Sequence, residues 1–158
     1  MDDAVKTRRG VPGDEAEIAR LREVMVTTLF GPYEDGPWTA ETLLRLNRWL
    51  SDPDATTAAF VVDAPDGSGL AASVIGVITE RLPSPHNPSG RAGYVYGVCT
   101  DPRWRRRGFS RAAMRALLDW FDDREVPRVD LHASEYGEAL YRELGFTDCH
   151  GTALALRR

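Results

Sequence analysis

Three successive arginines, Arg105, Arg106 and Arg107, precede Gly108, Phe109 and Ser110 in this chain. On the N-terminal side lies a run that reads as a strand, Tyr94-Val95-Tyr96-Gly97-Val98-Cys99. On the C-terminal side a helical pattern runs from Ser110 to Asp123. A strand that passes through a basic, glycine-containing loop into a helix builds an anion site. The first N–H groups of a helix have no intrahelical acceptor and point outward. The helix dipole adds about 0.3–1 kcal/mol for an anion at that end. Phosphates bind there, and an arginine guanidinium forks onto phosphate oxygens. The chemistry read from this stretch is the holding of a phosphorylated cofactor.

Spacing excludes two familiar phosphate loops. The pattern G-x-x-x-x-G-K-[ST] is absent, and the chain's single lysine, Lys6, is far away. The pattern G-x-G-x-x-G is absent because Gly108 is the only glycine in the turn. What stands here is R-x-x-G-x-S, from Arg105 to Ser110, after the lead-in V-C-T-D-P of Val98 to Pro102. Further on comes L-Y-R-E-L-G-F, from Leu140 to Phe146. These words, in this order and at this separation, resemble the GNAT superfamily of N-acetyltransferases. Its pyrophosphate loop is usually [QR]-x-x-G-x-[GA], and its C-terminal signature is L-Y-x-x-x-G-F. The resemblance covers residues 90–150 most firmly. Ser110 departs from it, standing where Gly or Ala is usual; the position must stay small, and serine is small with a hydroxyl that donates.

The resemblance implies acetyl-CoA as cosubstrate and no metal. Backbone N–H groups from Arg106 to Arg111, a stretch that includes Arg107, Gly108, Phe109 and Ser110, would cradle the pyrophosphate beside Arg105. Val98 and Thr100 would pair with the pantetheine arm as a strand would. Cys99 and Ser134 complete the implied cofactor set. A backbone N–H near Val98 or Cys99 would polarise the thioester carbonyl. Tyr141 matches the family's tyrosine near the leaving thiolate, and a phenol is protonated at neutral pH and donates to sulfur. The general base is open between His132, with the better intrinsic pKa, Glu80 on the preceding strand, and water. The expected acceptor is a primary amine of a small molecule. A protein or aminoacyl-tRNA amine, or CoA binding without turnover, are the alternatives. Acceptor contacts are expected from the first two helices and the 82–93 loop, with Phe30, Tyr33, Trp38, His86, Glu34 and Asp35 as side chains of interest there. Each is read first as packing or as solvated surface. Tyr94 and Tyr96 are expected to line the acceptor pocket. Homodimers are common in the resembled family.

The bulk numbers fit that reading. A chain of 158 residues with 42% hydrophobic and 28% charged residues is of ordinary globular composition, and one domain spanning residues 1–158 is expected. A net charge of −4 argues against general nucleic-acid binding. Cys99 and Cys149 form no C-x-x-C and no metal spacing with the histidines. No apolar run is long enough for a membrane span, and the first residues do not read as a secretory signal. A cytoplasmic enzyme is the expectation.

The elements that must position these residues follow from periodicity. Residues 5–9 read as a first strand. Asp14 is placed as the N-cap of a helix carrying Ile18, Leu21, Val24 and Met25 at helical spacing. Thr39 is placed as the cap of a second helix with Leu43, Leu46 and Leu50 on its apolar face. Strands are expected at 58–62 and 70–81 as a hairpin, then at 94–99. Met114, Leu117, Leu118 and Phe121 form one stripe on the helix after the arginine loop. A strand at 126–133, a helix capped by Ser134 and ended by Gly145, and a last strand at 146–156 complete the order β-α-α-β-β-β-α-β-α-β. The fold class expected is α/β, of mixed α+β type. It is a GNAT-like three-layer fold whose central mixed, mostly antiparallel sheet is flanked by helices.

Overall fold

The structure is a computed structural model that describes residues 4–158. A five-stranded sheet runs in chain order, β1 (Arg8–Arg9), β2 (Thr57–Asp63), β3 (Leu70–Glu80), β4 (Arg91–Thr100) and β5 (Val129–Leu131). The first four strands pair antiparallel and β4 pairs β5 parallel. Helices α1 (Glu15–Phe30) and α2 (Pro37–Ser51) connect β1 to β2. After β4 a single 3₁₀ turn at Pro102–Trp104 leads to α3 (Phe109–Asp123), and α4 (Glu138–Glu143) follows β5. The mixed three-layer architecture read from the sequence is the one observed.

Side-chain alternation along β2 and β3 splits the core in two. Ala59, Val61 and Ile75 face α1 and α2, where they bury Ile18, Leu21 and Leu46. Ala58, Val62, Ala72 and Val74 face α3, against Met114, Leu117 and Phe121. Those three α3 side chains are fully buried, each worth about 1.5–3 kcal/mol. α3 lies close on the sheet because two strand positions facing it have no side chain. A Cβ at Gly76 would sit 2.7 Å from Leu117 Cδ1, and one at Gly93 would sit 2.7 Å from Phe121 Cε1.

Several sequence expectations are corrected. Gly36, not Thr39, caps α2, because Pro37 takes the first helical position; Thr39 lies inside the helix. Asp14 is at the N-cap of α1, yet its carboxylate accepts from the Val11 N–H and Arg8 rather than from the helix. The strand expected over 126–133 is three residues long. Ser134 does not cap α4. Gly137 holds that position, and the Ser134 carbonyl accepts from the Gly137 and Glu138 N–H groups in the preceding turn. The last strand, expected at 146–156, does not form: that stretch pairs with no strand, and Leu154 and Leu156 are exposed. With β5 so short, little strand edge is offered for it to extend. No helix among the described residues is long and apolar enough to cross a membrane.

Gly76→Ala is expected to destabilise the fold by about 1–3 kcal/mol through overpacking against Leu117 and Phe121. Adding Phe121→Leu should restore part of the loss, as read by urea denaturation. A Gly76→Ala protein as stable as the parent would contradict the close approach of α3.

Candidate functional site

β4 and β5 part company. Their ladder covers Gly93↔Val129, Tyr94↔Asp130 and Val95↔Leu131 and then stops, while β4 runs on to Thr100. From Tyr96 onward the β5-facing edge of β4 has no strand beside it, so alternate backbone N–H and C=O groups are open to a ligand. The other edge of β4 stays paired to β3, with a bulge where Ile75↔Tyr96 gives way to Ser73↔Cys99. Gly97 sits in that bulge with φ +63, a left-handed conformation that favours glycine. The bulge turns the end of β4 away from β5 and widens the gap.

The gap opens into a cleft of about 630 Å³. Its lining includes Val98, Cys99 and Thr100 of β4, Arg105, Arg106 and Ser110 of the loop and helix start, and His132, Ser134 and Tyr141 beyond β5. The structure thus gathers most of the sequence-derived site residues on one cavity. Arg107, Gly108, Phe109 and Arg111 stand beside the lining. Arg107 stacks over the Trp104 ring at 4.9 Å, Phe109 packs on the α3 core, and Arg111 pairs with Glu143 at 2.6 Å. Glu80 is not brought to the cleft. It is exposed at the far end of β3, opposite Arg91. The residues that sequence reasoning missed are the α1 side chains Thr28 and Leu29 and the α4 approach residues Tyr136, Gly137 and Leu140. Val24 and Met25, read as core, also line the cleft. The available signal was the apolar character of α1 continuing to Leu29 and Phe30, beyond what the sheet can cover.

The loop itself is a run of orphan donors. Among the described residues, the backbone N–H groups of Arg106 through Arg111 make no close hydrogen bond within the protein: Arg105 closes the 3₁₀ turn at Pro102–Trp104, and the ladder of α3 begins with the Ala112 N–H donating to the Gly108 carbonyl at 3.0 Å. Arg106 (φ +63) and Gly108 (φ +76) are both left-handed, which curls successive N–H groups toward one concavity. The space around Gly108 is open: a Cβ there would meet nothing nearer than Arg111 Nη1, at 3.6 Å. Unpaired donors, open space and flanking arginines suit the diphosphate of a CoA nucleotide. Thr100 Oγ1 and Ser110 Oγ hydrogen-bond to one another, so the serine that departs from the usual Gly or Ala ties the end of β4 to the first turn of α3.

A buried carboxylate holds this loop in place. Asp101, 3% exposed, accepts from the Arg103 N–H at 2.9 Å and from Arg20 of α1 at 2.9 Å. Arg20 also pairs with Glu17 at 2.6 Å, and Glu17 accepts from the Leu70 N–H at 2.8 Å. The chain of contacts links α1, the start of β3 and the entry to the arginine loop. Hydrogen bonds from Arg103 and Arg20 hold the Asp101 carboxyl well below the usual carboxylate range.

Two further groups are tuned by burial. The Cys99 thiol is pushed up to about 12, so it stays protonated. The Tyr141 phenol is raised, by burial first and by the neighbouring Cys99 second. Its ring fits because Gly137 has no side chain, where a Cβ would lie 2.8 Å from Tyr141 Cε2. Tyr94 Oη and His132 Nδ1 hydrogen-bond at the cleft mouth. Of the acceptor-side residues singled out in the sequence, Tyr94 and Tyr96 line the cleft. Tyr33 and Trp38 instead pack edge to face at 5.1 Å, and Phe30 and His86 are exposed outside the lining.

The fold and this site define the class. The profile of the family described as acetyltransferase (GNAT) family matches residues 22–146, and the chain belongs to that family, which transfers acetyl groups with acetyl-CoA as donor. A mycothiol acetyltransferase from Acidimicrobium ferrooxidans is 29% identical over 122 residues, covering 74% of this chain and 36% of that protein. The chain thus spans little more than a third of that relative's length. A predicted acetyltransferase from Clostridium acetobutylicum, crystallised with acetyl-CoA, superposes with a TM-score of 0.81 at 20% identity, over 96% of this chain and 95% of that one. A glucosamine-6-phosphate N-acetyltransferase from Arabidopsis thaliana gives 0.73 at 17% identity, over 97% of this chain and 96% of that one.

Asp101→Asn is expected to cost about 2 kcal/mol, the scale of a hydrogen bond to a charged group. The folded-state pKa is depressed, so the parent's extra stability is present above about pH 4 and lost as pH falls through the folded value. Urea midpoints of parent and variant should therefore differ at neutral pH and converge in acid. Equal midpoints at neutral pH would remove Asp101 from its structural role.

Proposed function

We propose that the chain transfers the acetyl group of acetyl-CoA to a primary amine of a small molecule by direct attack on the thioester. The observation that carries this reading is the continuity of two unpaired backbone runs, the free edge of β4 past Val95 and the open N–H groups of Arg106 to Arg111, along one cleft. An extended, partly peptide-like arm ending in a diphosphate has matching groups in matching order.

In this reading Arg106, Arg107, Gly108, Phe109, Ser110 and Arg111 hold the diphosphate through backbone N–H groups, with Arg105 and Arg106 adding charge from the cleft wall. Val98 and Thr100 offer strand-like pairing to the pantetheine arm, and Ser134 lines the opposite wall. Acetyl-CoA supplies an activated acyl carbon. The Val98 N–H, on the open edge of β4 at the Gly97 bulge, would polarise the carbonyl oxygen where negative charge develops, whereas Cys99, opposite Ser73, turns its N–H toward β3. The amine nitrogen forms its bond to the acyl carbon, the carbon–sulfur bond breaks, and the sulfur takes a proton from Tyr141 Oη. The proton lost by the ammonium passes to His132, whose Nδ1 is held by Tyr94, or to water. His132 supports the base role better than Glu80 because it lines the cleft. A direct attack is favoured over an acyl-cysteine because the Cys99 thiol stays protonated.

Calorimetric titration of acetyl-CoA into the protein tests the reading. Micromolar binding is expected, and Gly108→Glu should abolish it while retaining a cooperative melt. That substitution places a side chain at a left-handed position and an anion among phosphate donors. No binding by the folded parent would overturn the reading. Tyr141→Phe is expected to lower kcat about 100-fold with binding of acetyl-CoA unchanged, and an unaltered kcat would remove Tyr141 from the mechanism. Because burial raises the phenol, the midpoint at which the parent's kcat loses this acid should lie above pH 10.0, the ordinary tyrosine value.

A further inference from the structure

The cleft has two ends of different character. Arg20 of α1 meets Asp101 just past the end of β4, so α1 runs back along β4 as the chain proceeds, at about 1.5 Å per residue. The later α1 residues Val24, Met25 and Leu29 therefore lie toward Tyr96 and Tyr94, away from the arginine loop, and with Tyr136 they line the cleft. This end is apolar and aromatic. Leu29 is 39% exposed, although it lines the cavity. Exposed apolar side chains rimming a concave site are ligand surface waiting to be covered.

Among the described residues, no Asp, Glu or Lys lines the cleft. The charged groups that act on Tyr96 are the cations Arg22 and Arg45, and Arg45 is paired with Glu41 at 2.7 Å outside the lining. The nearby carboxylates Glu23 and Asp35 lie around Tyr33, and with Glu34 they are outside the lining. An acceptor bearing several ammonium groups loses hydration on entry and needs anions in exchange. The cleft lining has none to give. A single amine suits it, because the attacking form is neutral and the surroundings disfavour the ammonium. The rings of Tyr94 and Tyr96 offer faces and edges for an aromatic body.

We propose that this end of the cleft takes a monoamine with an aromatic or apolar body, of the arylethylamine class, and discriminates against di- and polyamines. The inference rests on the acetyl-transfer reading above and narrows its acceptor. Leu29, at the rim, is a specificity-determining position.

The test measures acetyl transfer at saturating acetyl-CoA to phenethylamine, tyramine, putrescine, spermidine and a short peptide beginning with phenylalanine, beside calorimetric binding of acetyl-CoA. The expected kcat/KM for phenethylamine or tyramine exceeds that for putrescine and spermidine by about ten-fold or more. In Leu29→Glu the ratio should fall or invert, because the diamine gains a counter-ion. Leu29→Gln, equally polar but uncharged, should lower phenethylamine turnover without raising that of spermidine. Acetyl-CoA binding with diamines equal or preferred, or with no amine of the panel turned over, would overturn the acceptor assignment alone. Preference for the peptide over both arylethylamines would overturn it in favour of a protein N-terminus. Failure to bind acetyl-CoA would sink the acetyl-transfer reading itself and this inference with it.

Discussion

The parting of β4 from β5 is the constraint on which the rest of the site depends. Parallel pairing holds the two strands together only through Val95 and Leu131. Beyond that point the backbone of β4 keeps its polar groups and loses its partner, in the middle of the protein rather than at its rim. Such groups are costly to leave unsatisfied away from water. A cleft that admits water or an extended ligand resolves the cost. The left-handed Gly97 and the bulge against β3 make the parting a fixed feature of the sheet. Everything nearby serves that opening. α3 begins where the open edge ends, α1 forms one wall, and the turn before α4 and α4 itself deliver Tyr136 and Tyr141 to the lining.

The loop is held by a different kind of interaction. A nearly buried carboxylate, Asp101, is tied to two arginines and a backbone N–H, and through Arg20 and Glu17 to α1 and β3. The arrangement fixes the entry of the arginine loop relative to the sheet. The loop can then keep its own N–H groups unpaired and its arginines partly free. Rigidity upstream and unsatisfied donors downstream are two halves of one design for an anion. The Thr100–Ser110 hydroxyl pair closes the same junction from the cleft side.

Local signals in the sequence marked residues that share one cleft, while strand lengths and register were less legible. The arginine loop, the α3 stripe and the L-Y-R-E-L-G-F word are all short-range patterns, and the structure gathers their residues on one cleft or beside it. The gap between β4 and β5 depends on register and strand length, which are tertiary properties. A strand read over 126–133 turned out to be three residues long, and that shortness is what leaves β4 open. Glu80 sat on a strand next to the site in sequence logic, yet one strand's length carries it to the far end of the sheet. Asp101 was visible only as part of a lead-in word; its burial follows from Arg20, far away in the chain. The C-terminal stretch ends in an apolar run, Ala153 to Leu156, but an apolar run alone supplies no partner edge.

Hydrogen exchange of the backbone amides, with and without acetyl-CoA, tests the central claim most directly. Slowed exchange is expected at Val98, Thr100 and Arg106 through Arg111, since these open donors gain acceptors, with little change in β2 or the first turns of α1. Protection confined to other elements, or none at these amides under saturating acetyl-CoA, would contradict the assignment of the open β4 edge and the arginine loop as one continuous cofactor site.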